Sequence, residues 1–323
     1  MKDFKKCLED FRNKKIVILG DLMLDKYIFG KVDRISPEAP VPIVRVESEK
    51  YVPGGAANAA ANVSALGGEA HLFGIVGNDS AKDIFMDVAK SSFIKTDGVI
   101  IDKKKPTIQK IRVLGPIQQL LRIDYEDVDY ISKDIHEAIL RKIMVLRNVD
   151  AIIISDYAKG TITKDLLGKV IAYAKERNIP VIIDPKPKHA ELYVGATIIT
   201  PNKKEAEEIV KHSIDTMEDV EKAGKSISEK FDCSVLLTLG EKGVALFEKG
   251  KNAVHIPAIA REVFDVSGAG DTVIATLSLA LSSGASLSDA SIIANHAAGI
   301  KVGKIGTAPV YLNELSRSLE KSL

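Results

Sequence analysis

The strongest constraint on the fold is the alternation of helical and short apolar segments that begins near residue 132. Helical patterns over 133–147 and 163–177 lead to the apolar runs 151–155 and 180–184, and a third apolar run follows at 196–200. Short apolar strands separated by helices imply βαβ crossovers, a parallel sheet and helices on both of its faces. We therefore expect an α/β fold with a central, mostly parallel sheet.

A polar residue stands at the end of each of these strands. Asp156, Asp184 and Asn202 occupy these positions, and Asp21 and Asp25 follow an earlier apolar run near the N-terminus. The carboxyl ends of parallel strands meet at one edge of the sheet, where open α/β sheets bind ligands. Each residue alone is equally well explained as a turn residue. Their recurrence is what predicts a ligand site at this edge.

Composition narrows the class of protein. The 323 residues are 46% apolar, enough for a sizeable core, and 45 basic side chains balance 44 acidic ones without long blocks, which predicts no nucleic-acid partner. No apolar run reaches membrane-spanning length, and the N-terminus lacks the apolar core of a signal peptide. The two cysteines have neither metal nor redox spacing. A cytoplasmic protein with no membrane partner is expected.

Two segments, at about 26–53 and 106–124, have a different pattern. Pro37, Pro40 and Pro42 argue against a helix in the first, and β-branched residues favour extended chain in both. Together they predict a small β-sheet inserted into the main domain. Because such a sheet cannot bury a core by itself, it is expected to act as a lid over a substrate or as a dimer contact. Its exposed edges predict a homodimer through this sheet.

The segment 265–272, DVSGAGDT, precedes an uncharged stretch that is typical of a buried helix. Gly268 and Gly270 permit a close approach to the main chain, and the first N–H groups of a helix attract anions. Asp271 lies inside this cradle. A carboxylate beside an anion site is explained if it takes a proton from a hydroxyl that attacks a phosphate, which is the base chemistry of kinases. The alternative is that Asp271 only caps the helix.

A second glycine-rich segment, GGAANAA at 54–60, predicts a turn that runs into an alanine-rich helix. Asn58 can donate and accept hydrogen bonds and so suits sugar hydroxyls. A capping role within a tightly packed helix is the alternative. Motifs of other enzyme classes are absent from the sequence, which has no GxxxxGK[ST], GxGxxG, HExxH or GxSxG.

The two glycine-rich segments resemble the signatures of the ribokinase-like (PfkB) sugar kinases, in the order of that family. The resemblance implies one ribokinase-like three-layer sandwich over 1–323 with a β-sheet lid, ATP and Mg²⁺ as cofactors, and a small sugar-phosphate substrate. It makes Asp271 the general base and the amides of Gly268, Ala269 and Gly270 the anion hole. The nucleotide contacts that it implies are Asn202, Glu205, Thr238, Gly240, Gly243, Val266 and Asn295, with Asn202 and Glu205 also placing Mg²⁺ through water. The sugar contacts that it implies are Asp21, Gly54, Gly55 and Asn58.

The segment 33–43, DRISPEAPVPI, and its flanks are similar to the kinase domain of ADP-heptose synthesis. This narrower resemblance implies transfer to the anomeric hydroxyl of D-glycero-D-manno-heptose 7-phosphate, a step toward lipopolysaccharide or S-layer heptose. The phosphate on that substrate calls for a cationic pocket opposite Asp271, for which Arg34, Arg112 and Lys186, with Asp184 beside it, are candidates.

Two-domain members of that group carry a nucleotidyltransferase half with an H-x-G-H motif, which this sequence lacks. We therefore expect the bisphosphate and not the nucleotide-activated sugar. Two alternatives remain. One is a related kinase for another sugar phosphate or a nucleoside, and the other is a catalytically silent sugar-phosphate sensor. The presence of Asp271 argues against the sensor.

Overall fold

The structure is a computed structural model that describes residues 4–116, 118–259, 262–304 and 306–321. Residues 1–3 and Ile117, which fall within the N-terminal and inserted segments discussed above, lie outside the described residues. The strands are β1 Lys15–Gly20, β2 Leu22–Ile35, β3 Pro42–Gly55, β4 Glu69–Gly77, β5 Lys95–Asp102, β6 Ile108–Leu114, β7 Gln119–Tyr125, β8 Ala151–Ser155, β9 Val181–Asp184, β10 Ile198–Ile199, β11 Ser234–Thr238, β12 Val244–Phe247 and β13 Val254–Ile256. The helices are α1 Phe4–Asp10, α2 Ala56–Ala65, α3 Ser80–Ser91, α4 Lys133–Val145, α5 Lys164–Glu176, α6 Lys203–Val210, α7 Met217–Phe231, α8 Ala269–Ser282, α9 Leu287–Val302 and α10 Leu312–Glu320.

The larger sheet of the described residues has nine strands in the order β13-β12-β11-β10-β9-β8-β1-β4-β5. Its pairs are parallel from β5 to β11, and β12 and β13 add an antiparallel edge. Strand β1 lies between β8 and β4, and all its central residues are buried. The predicted mostly parallel sheet is therefore confirmed.

Helices cover both faces of this sheet, which makes a three-layer sandwich. Ile16 and Ile18 of β1 belong to a core shared with α2, α8, α9 and α10. Val17 and Leu19 point the other way, into a second core shared with α4, α5, α6 and α7. The alternation follows from the two-residue period of a strand, since both faces of a parallel sheet are buried.

The inserted segments form a separate sheet in the order β3-β2-β6-β7, which we call the lid sheet. It contains two antiparallel hairpins, β2–β3 and β6–β7, joined by parallel pairing of β2 with β6. Strand β2 starts buried in the core and becomes exposed toward Ile35. The predicted small inserted sheet is present, and its outer part projects away from the sandwich.

The register of the central strands brings the predicted polar residues together. Gly20 pairs with Ser155, and Ser155 pairs with Asp184. Asp21 and Asp156 therefore follow strands that end at the same level as β9. The edge of the sheet that the sequence identified carries the site described below.

Two helical glycines differ in the space around them, which gives a matched test of the packing. A Cβ at Gly224 of α7 would lie 2.1 Å from the Phe247 ring, whereas a Cβ at the exposed Gly168 of α5 meets nothing within 4 Å. We expect Gly224→Ala to cost about 1–3 kcal/mol of unfolding free energy through overpacking. Gly168→Ala should add roughly 0.5–1 kcal/mol through helix propensity. Urea unfolding measures both, and equal effects of the two changes would contradict the packing of α7 on β12.

Candidate active site

The site forms around Asp271, in the first turn of α8. Its carboxylate is 6% exposed and accepts two hydrogen bonds, from Asn58 Nδ2 at 2.6 Å and from the Tyr157 hydroxyl at 3.2 Å. Burial raises the pKa of Asp271 to about 6, against the two hydrogen bonds, which lower it. The carboxylate is thus ionised near neutral pH yet basic enough to accept a proton.

Small residues let α2 and α8 approach closely enough for these contacts. Gly268 has a φ of +75°, in the left-handed region, and a Cβ there would lie 2.8 Å from Asn58 Nδ2. One turn further along, the Thr272 hydroxyl donates to Asn62 Oδ1 at 2.8 Å. Asn58 therefore orients the carboxylate of Asp271, a role that its sequence context did not suggest.

The three amides of the predicted anion hole differ in whether they already have a hydrogen-bond partner. The Ala269 amide donates to the Val266 carbonyl at 3.2 Å, so it is already occupied. No hydrogen bond among the described residues uses the amides of Gly268 and Gly270. A Cβ at Gly270 would meet nothing within 4 Å, so the start of α8 is open. The free N–H groups and the helix dipole favour an anion beside Asp271.

Asp21, for which a sugar contact is predicted, forms hydrogen bonds to the backbone. Its fully buried carboxylate accepts backbone N–H groups from Tyr157 at 2.9 Å, Lys159 at 3.0 Å and Thr161 at 3.0 Å. These bonds fix the loop after β8, and with it the Tyr157 side chain. Both carboxylate oxygens of Asp21 are thus bonded to the backbone, and its contact with a sugar stays a prediction.

The sequence analysis noted Asp25 but did not select it as a site residue. It is 6% exposed and lies beside Gly54, where a Cβ would come within 2.8 Å of its carboxylate. Arg112 Nη1 donates to Asp25 Oδ1 at 2.9 Å. Gly54 and Arg112 thus both lie beside Asp25, while Gly55, with a φ of +55°, turns the chain into α2.

Two lysines flank the ring of Tyr157. Lys110 Nζ lies 5.6 Å and Lys186 Nζ 5.5 Å from the ring centroid. Lys110 sits on β6 opposite Asp25, and burial lowers its pKa while Asp25 opposes the shift. Lys110 and Tyr157 were both missed, because their approach depends on the parallel pairing of β2 with β6 and on the loop that Asp21 holds.

Arg34 is not part of this site. About 30 Å of extended strand separates it from Asp25 along β2, at the usual rise per residue. Its side chain is exposed near the outer end of the β2–β3 hairpin. The prediction that Arg34 lines the pocket opposite Asp271 is therefore wrong for a single copy of the chain, because the lid hairpin carries it outward.

Asn202 and Glu205 form a capping box at the start of α6. Asn202 Oδ1 accepts from the Glu205 amide at 2.9 Å, and Glu205 Oε2 accepts from the Asn202 amide at 3.0 Å. Glu205 Oε1 also pairs with Lys186 Nζ at 2.5 Å, which raises the pKa of Lys186 although its burial opposes the shift. Asp184 lies nearby, and burial together with Glu205 and Asp271 raises its pKa well above the usual range.

The other residues predicted to contact a nucleotide are Thr238, Gly240, Gly243, Val266 and Asn295. Thr238 bridges to Asn202, and the turn after β11 contains Gly240 and Gly243, both with positive φ. Val266 is 68% exposed just before α8, and Asn295 on α9 is buried with its Nδ2 donating to the Pro257 carbonyl at 2.8 Å. Pro257 also lies beside Gly243, where a Cβ would come within 2.6 Å of the Pro257 carbonyl carbon. The contacts of these residues with a nucleotide stay a prediction.

Comparison with known proteins decides the family. The sequence model of the pfkB family carbohydrate kinases matches residues 13–313. The chain belongs to this family. It is therefore a sugar kinase, a phosphotransferase that acts on an alcohol group of a small molecule.

Bifunctional protein HldE of Pseudomonas aeruginosa is 44% identical over 98% of this chain, and that of Gluconobacter oxydans is 42% identical over 97%. The chain spans about two thirds (66%) of the length of each.

Solved structures show the same fold. Ribokinase of Arabidopsis thaliana, complexed with ribose and ATP, has a TM-score of 0.76 at 22% identity and covers 95% of this chain and 99% of its own. Phosphofructokinase-2 of Escherichia coli, in complex with potassium, has a TM-score of 0.80 at 18% identity, with 96% and 99% covered. Within the described ranges of this kinase, no helix is both long and apolar enough to cross a membrane.

The acidic residues of the kinase suit a divalent cation that protein side chains coordinate only in part. Among the described residues, no group of three or more metal-ligating side chains is close enough to hold an ion alone. Mg²⁺ usually keeps several waters and uses one or two carboxylates plus substrate phosphates. Glu205 can supply one such carboxylate, and Asp184 lies near it where burial and the neighbouring acids raise its pKa, an effect that a bound cation would oppose. This donor set suits an ion that arrives with a nucleotide.

The hydrogen bond from Asn58 predicts the direction of a pKa change. Because the bond stabilises the ionised form of Asp271, Asn58→Ala should raise the pKa of Asp271 above its value of about 6. Carbon-13 NMR titration of labelled aspartate measures this, with Asp271→Asn assigning the resonance. Asn13→Ala, which removes an exposed amide bonded to Asp10, is the control and should leave it unchanged. A pKa that falls in Asn58→Ala would contradict the geometry.

Proposed function

We propose that this kinase transfers the γ-phosphoryl group of ATP to the anomeric hydroxyl of D-glycero-D-manno-heptose 7-phosphate, giving the 1,7-bisphosphate. The observation that carries the chemistry is the buried Asp271 carboxylate, which lies beside unused amides at the start of α8. The resemblance of 33–43 to heptose 7-phosphate kinases supports the choice of acceptor, and the HldE relatives are compatible with it.

In the proposed reaction, Asp271 takes the proton of the attacking hydroxyl. Asn58 holds one carboxylate oxygen, and Tyr157 donates to the other until the acceptor hydroxyl replaces it. Burial raises the pKa of Tyr157 and Asp271 adds to the shift, so the phenol stays protonated and acts only as a donor. The amides of Gly268 and Gly270 stabilise charge on the transferred phosphoryl group.

ATP and Mg²⁺ are the cofactors that we propose. Asn202, Glu205 and Asp184 would hold the ion through water, and it would neutralise charge on the nucleotide phosphates. The ribokinase of Arabidopsis thaliana, which shares the fold, was solved with ATP. Thr238, just before the turn that contains Gly240 and Gly243, bridges to Asn202, so we place the nucleotide at this turn together with the contacts Val266 and Asn295.

The acceptor would lie between the lid sheet and α2. Asp25 is placed to accept hydrogen bonds from sugar hydroxyls, a role that the family resemblance implies for Asp21. Lys110 and Arg112 stand two residues apart on β6 and so share one face of that strand. Their cations, with Lys186 beside Tyr157, form a pocket of positive charge suited to the phosphate already on the acceptor.

We also propose a homodimer joined through the lid sheets. The outer strands expose large apolar side chains, including Phe29, Ile35, Val46, Leu121 and Tyr125. A second copy is a suitable cover because an exposed sheet with apolar side chains invites pairing with another sheet. Light scattering should give twice the mass of one chain. A single-chain mass at micromolar concentration would contradict the dimer.

An ADP-release assay with ATP, Mg²⁺ and a panel of acceptors tests the proposed function. The panel contains heptose 7-phosphate, the unphosphorylated heptose, fructose 6-phosphate, ribose and adenosine. We expect a strong preference for heptose 7-phosphate. Asp271→Asn should lower turnover roughly 10²–10⁴-fold because the general base is lost. ATP binding should be unchanged, because the residues proposed to contact the nucleotide are all present.

Variants of the lid separate the acceptor assignment from the chemistry. Lys110→Met should weaken the preference for the phosphorylated over the unphosphorylated heptose, whereas Lys31→Met, which removes a lid lysine paired with Glu47, should not. Preference for another acceptor would support the kinase activity and contradict heptose 7-phosphate as the acceptor. No activity of the wild-type enzyme with any acceptor would favour a sugar-phosphate sensor. Full activity of Asp271→Asn would contradict the role of Asp271 as general base.

A further inference from the structure

A lysine with no exposed surface lies beside the start of α8. Lys301, near the end of α9, is 0% exposed and is among the largest fully buried side chains of the described residues. Ionised side chains are rarely buried without a compensating partner, because loss of hydration is costly. Burial lowers the pKa of Lys301, while the charges of Asp265 and Asp271 favour its ionised form. Its position demands an explanation that packing alone does not give.

The Lys301 ammonium links two segments of backbone. Its Nζ donates to the carbonyl of Gly306, in the loop that follows α9. The amide of Gly306 in turn donates to Asp265 Oδ2 at 2.9 Å, and Asp265 Oδ1 accepts from the Ser267 amide at 2.8 Å. The lysine, the loop and Asp265 therefore form one connected network of hydrogen bonds and charge.

This network supports the turn that carries the proposed anion hole. The Asp265 amide donates to the carbonyl of Val302, the neighbour of Lys301, at 3.2 Å. On the other side, a Cβ placed on Gly268 would lie 3.5 Å from Lys301 Cε, so the side chain packs against the residue that begins α8. Lys301 thus packs against the turn 265–270 through its side chain and is joined to it through Gly306 and Asp265.

We propose that the Lys301 ammonium is a built-in monovalent cation that joins the loop after α9 to the turn 265–270 and so holds the amides of Gly268 and Gly270 in position. It is a positioning residue, and its role rests on the proposed phosphoryl transfer at Asp271. A backbone carbonyl and a nearby carboxylate are oxygen donors that would also suit a small dissolved cation. Because a tethered ammonium already occupies this position, the kinase should need no monovalent ion there.

The first arm of the test uses the wild-type kinase alone. Turnover of heptose 7-phosphate with ATP and Mg²⁺ is measured in potassium chloride and in tetramethylammonium chloride of the same ionic strength. We expect kcat to agree within about twofold, since the cation is internal and surface screening is matched. A requirement for potassium would overturn the proposal without any variant having to fold.

The second arm removes the ammonium. Lys301→Ala should lower kcat by roughly 10²-fold, the scale seen when an anion-hole donor is lost, with a much smaller change in the KM of the acceptor. Added ammonium or methylammonium should restore at least a tenth of the lost activity in a saturable way, because the truncation leaves space beside the Gly306 carbonyl. Lys304→Met is the matched control. It removes a lysine of the same loop that pairs with Glu314, and it should keep its kcat and show no response to amines.

The outcomes separate two failures. If the wild-type enzyme turns over no acceptor, the proposed function fails and the inference falls with it. If the wild type is active and Lys301→Ala is equally active, only the role of Lys301 is refuted. A folded Lys301→Ala, checked by circular dichroism, that loses activity without any rescue by small ammonium ions would also refute it, because a purely packing role predicts that result.

Discussion

The hydrogen bond between Asn58 and Asp271 is the contact on which the rest of the site depends. It joins α2 to α8 at 2.6 Å across 213 residues of sequence, inside the core. An ionised carboxylate in such a place loses hydration, and the resulting destabilisation is offset by donors that the fold supplies. Asn58 and Tyr157 supply them, from two elements that meet only in the folded chain. The basicity of Asp271 follows from this incomplete compensation, since burial still outweighs both bonds.

The second constraint is the buried carboxylate of Asp21, which orders a backbone loop. Its three backbone hydrogen bonds determine the path of the loop after β8. They bring the Tyr157 hydroxyl to Asp271 and its ring between Lys110 and Lys186. Asp21, which the family resemblance suggests as a sugar contact, thus holds the loop that positions a donor to Asp271.

Local sequence was enough to predict the sandwich and the edge of the sheet where the site lies. Apolar strands that alternate with helices, and polar residues that follow each strand, are local features, and the sheet register preserved them. The need for glycine at position 268 was also predictable from the sequence. A left-handed turn and the close approach of Asn58 both require the absence of a Cβ.

The residues that sequence analysis missed depend on pairing between distant segments. Lys110 faces Asp25 only because β6 adds to β2 in a particular parallel register, and no local pattern specifies that register. Arg34 was misplaced for the same reason, since the length of the β2–β3 hairpin decides how far it projects. For Asn202 and Glu205, by contrast, local sequence is sufficient, because their spacing predicts a capping box with or without a bound metal.

The charges of the site are arranged so that a bound anion could replace a carboxylate as the partner of a cation. Arg112 pairs with Asp25, and Lys186 with Glu205, in contacts that are partly open to solvent. The carboxylates of both pairs are largely buried, so a phosphate that takes their cation leaves a carboxylate that needs another partner. In the proposed reaction, a sugar hydroxyl or a hydrated cation supplies that partner. Lys301 differs, because it is fully buried and its partners belong to the backbone network of the turn. Under the role proposed for it, the kinase combines two cations that change partners with a third that stays fixed, and only the fixed cation can hold the turn in the same geometry before and after the substrates bind.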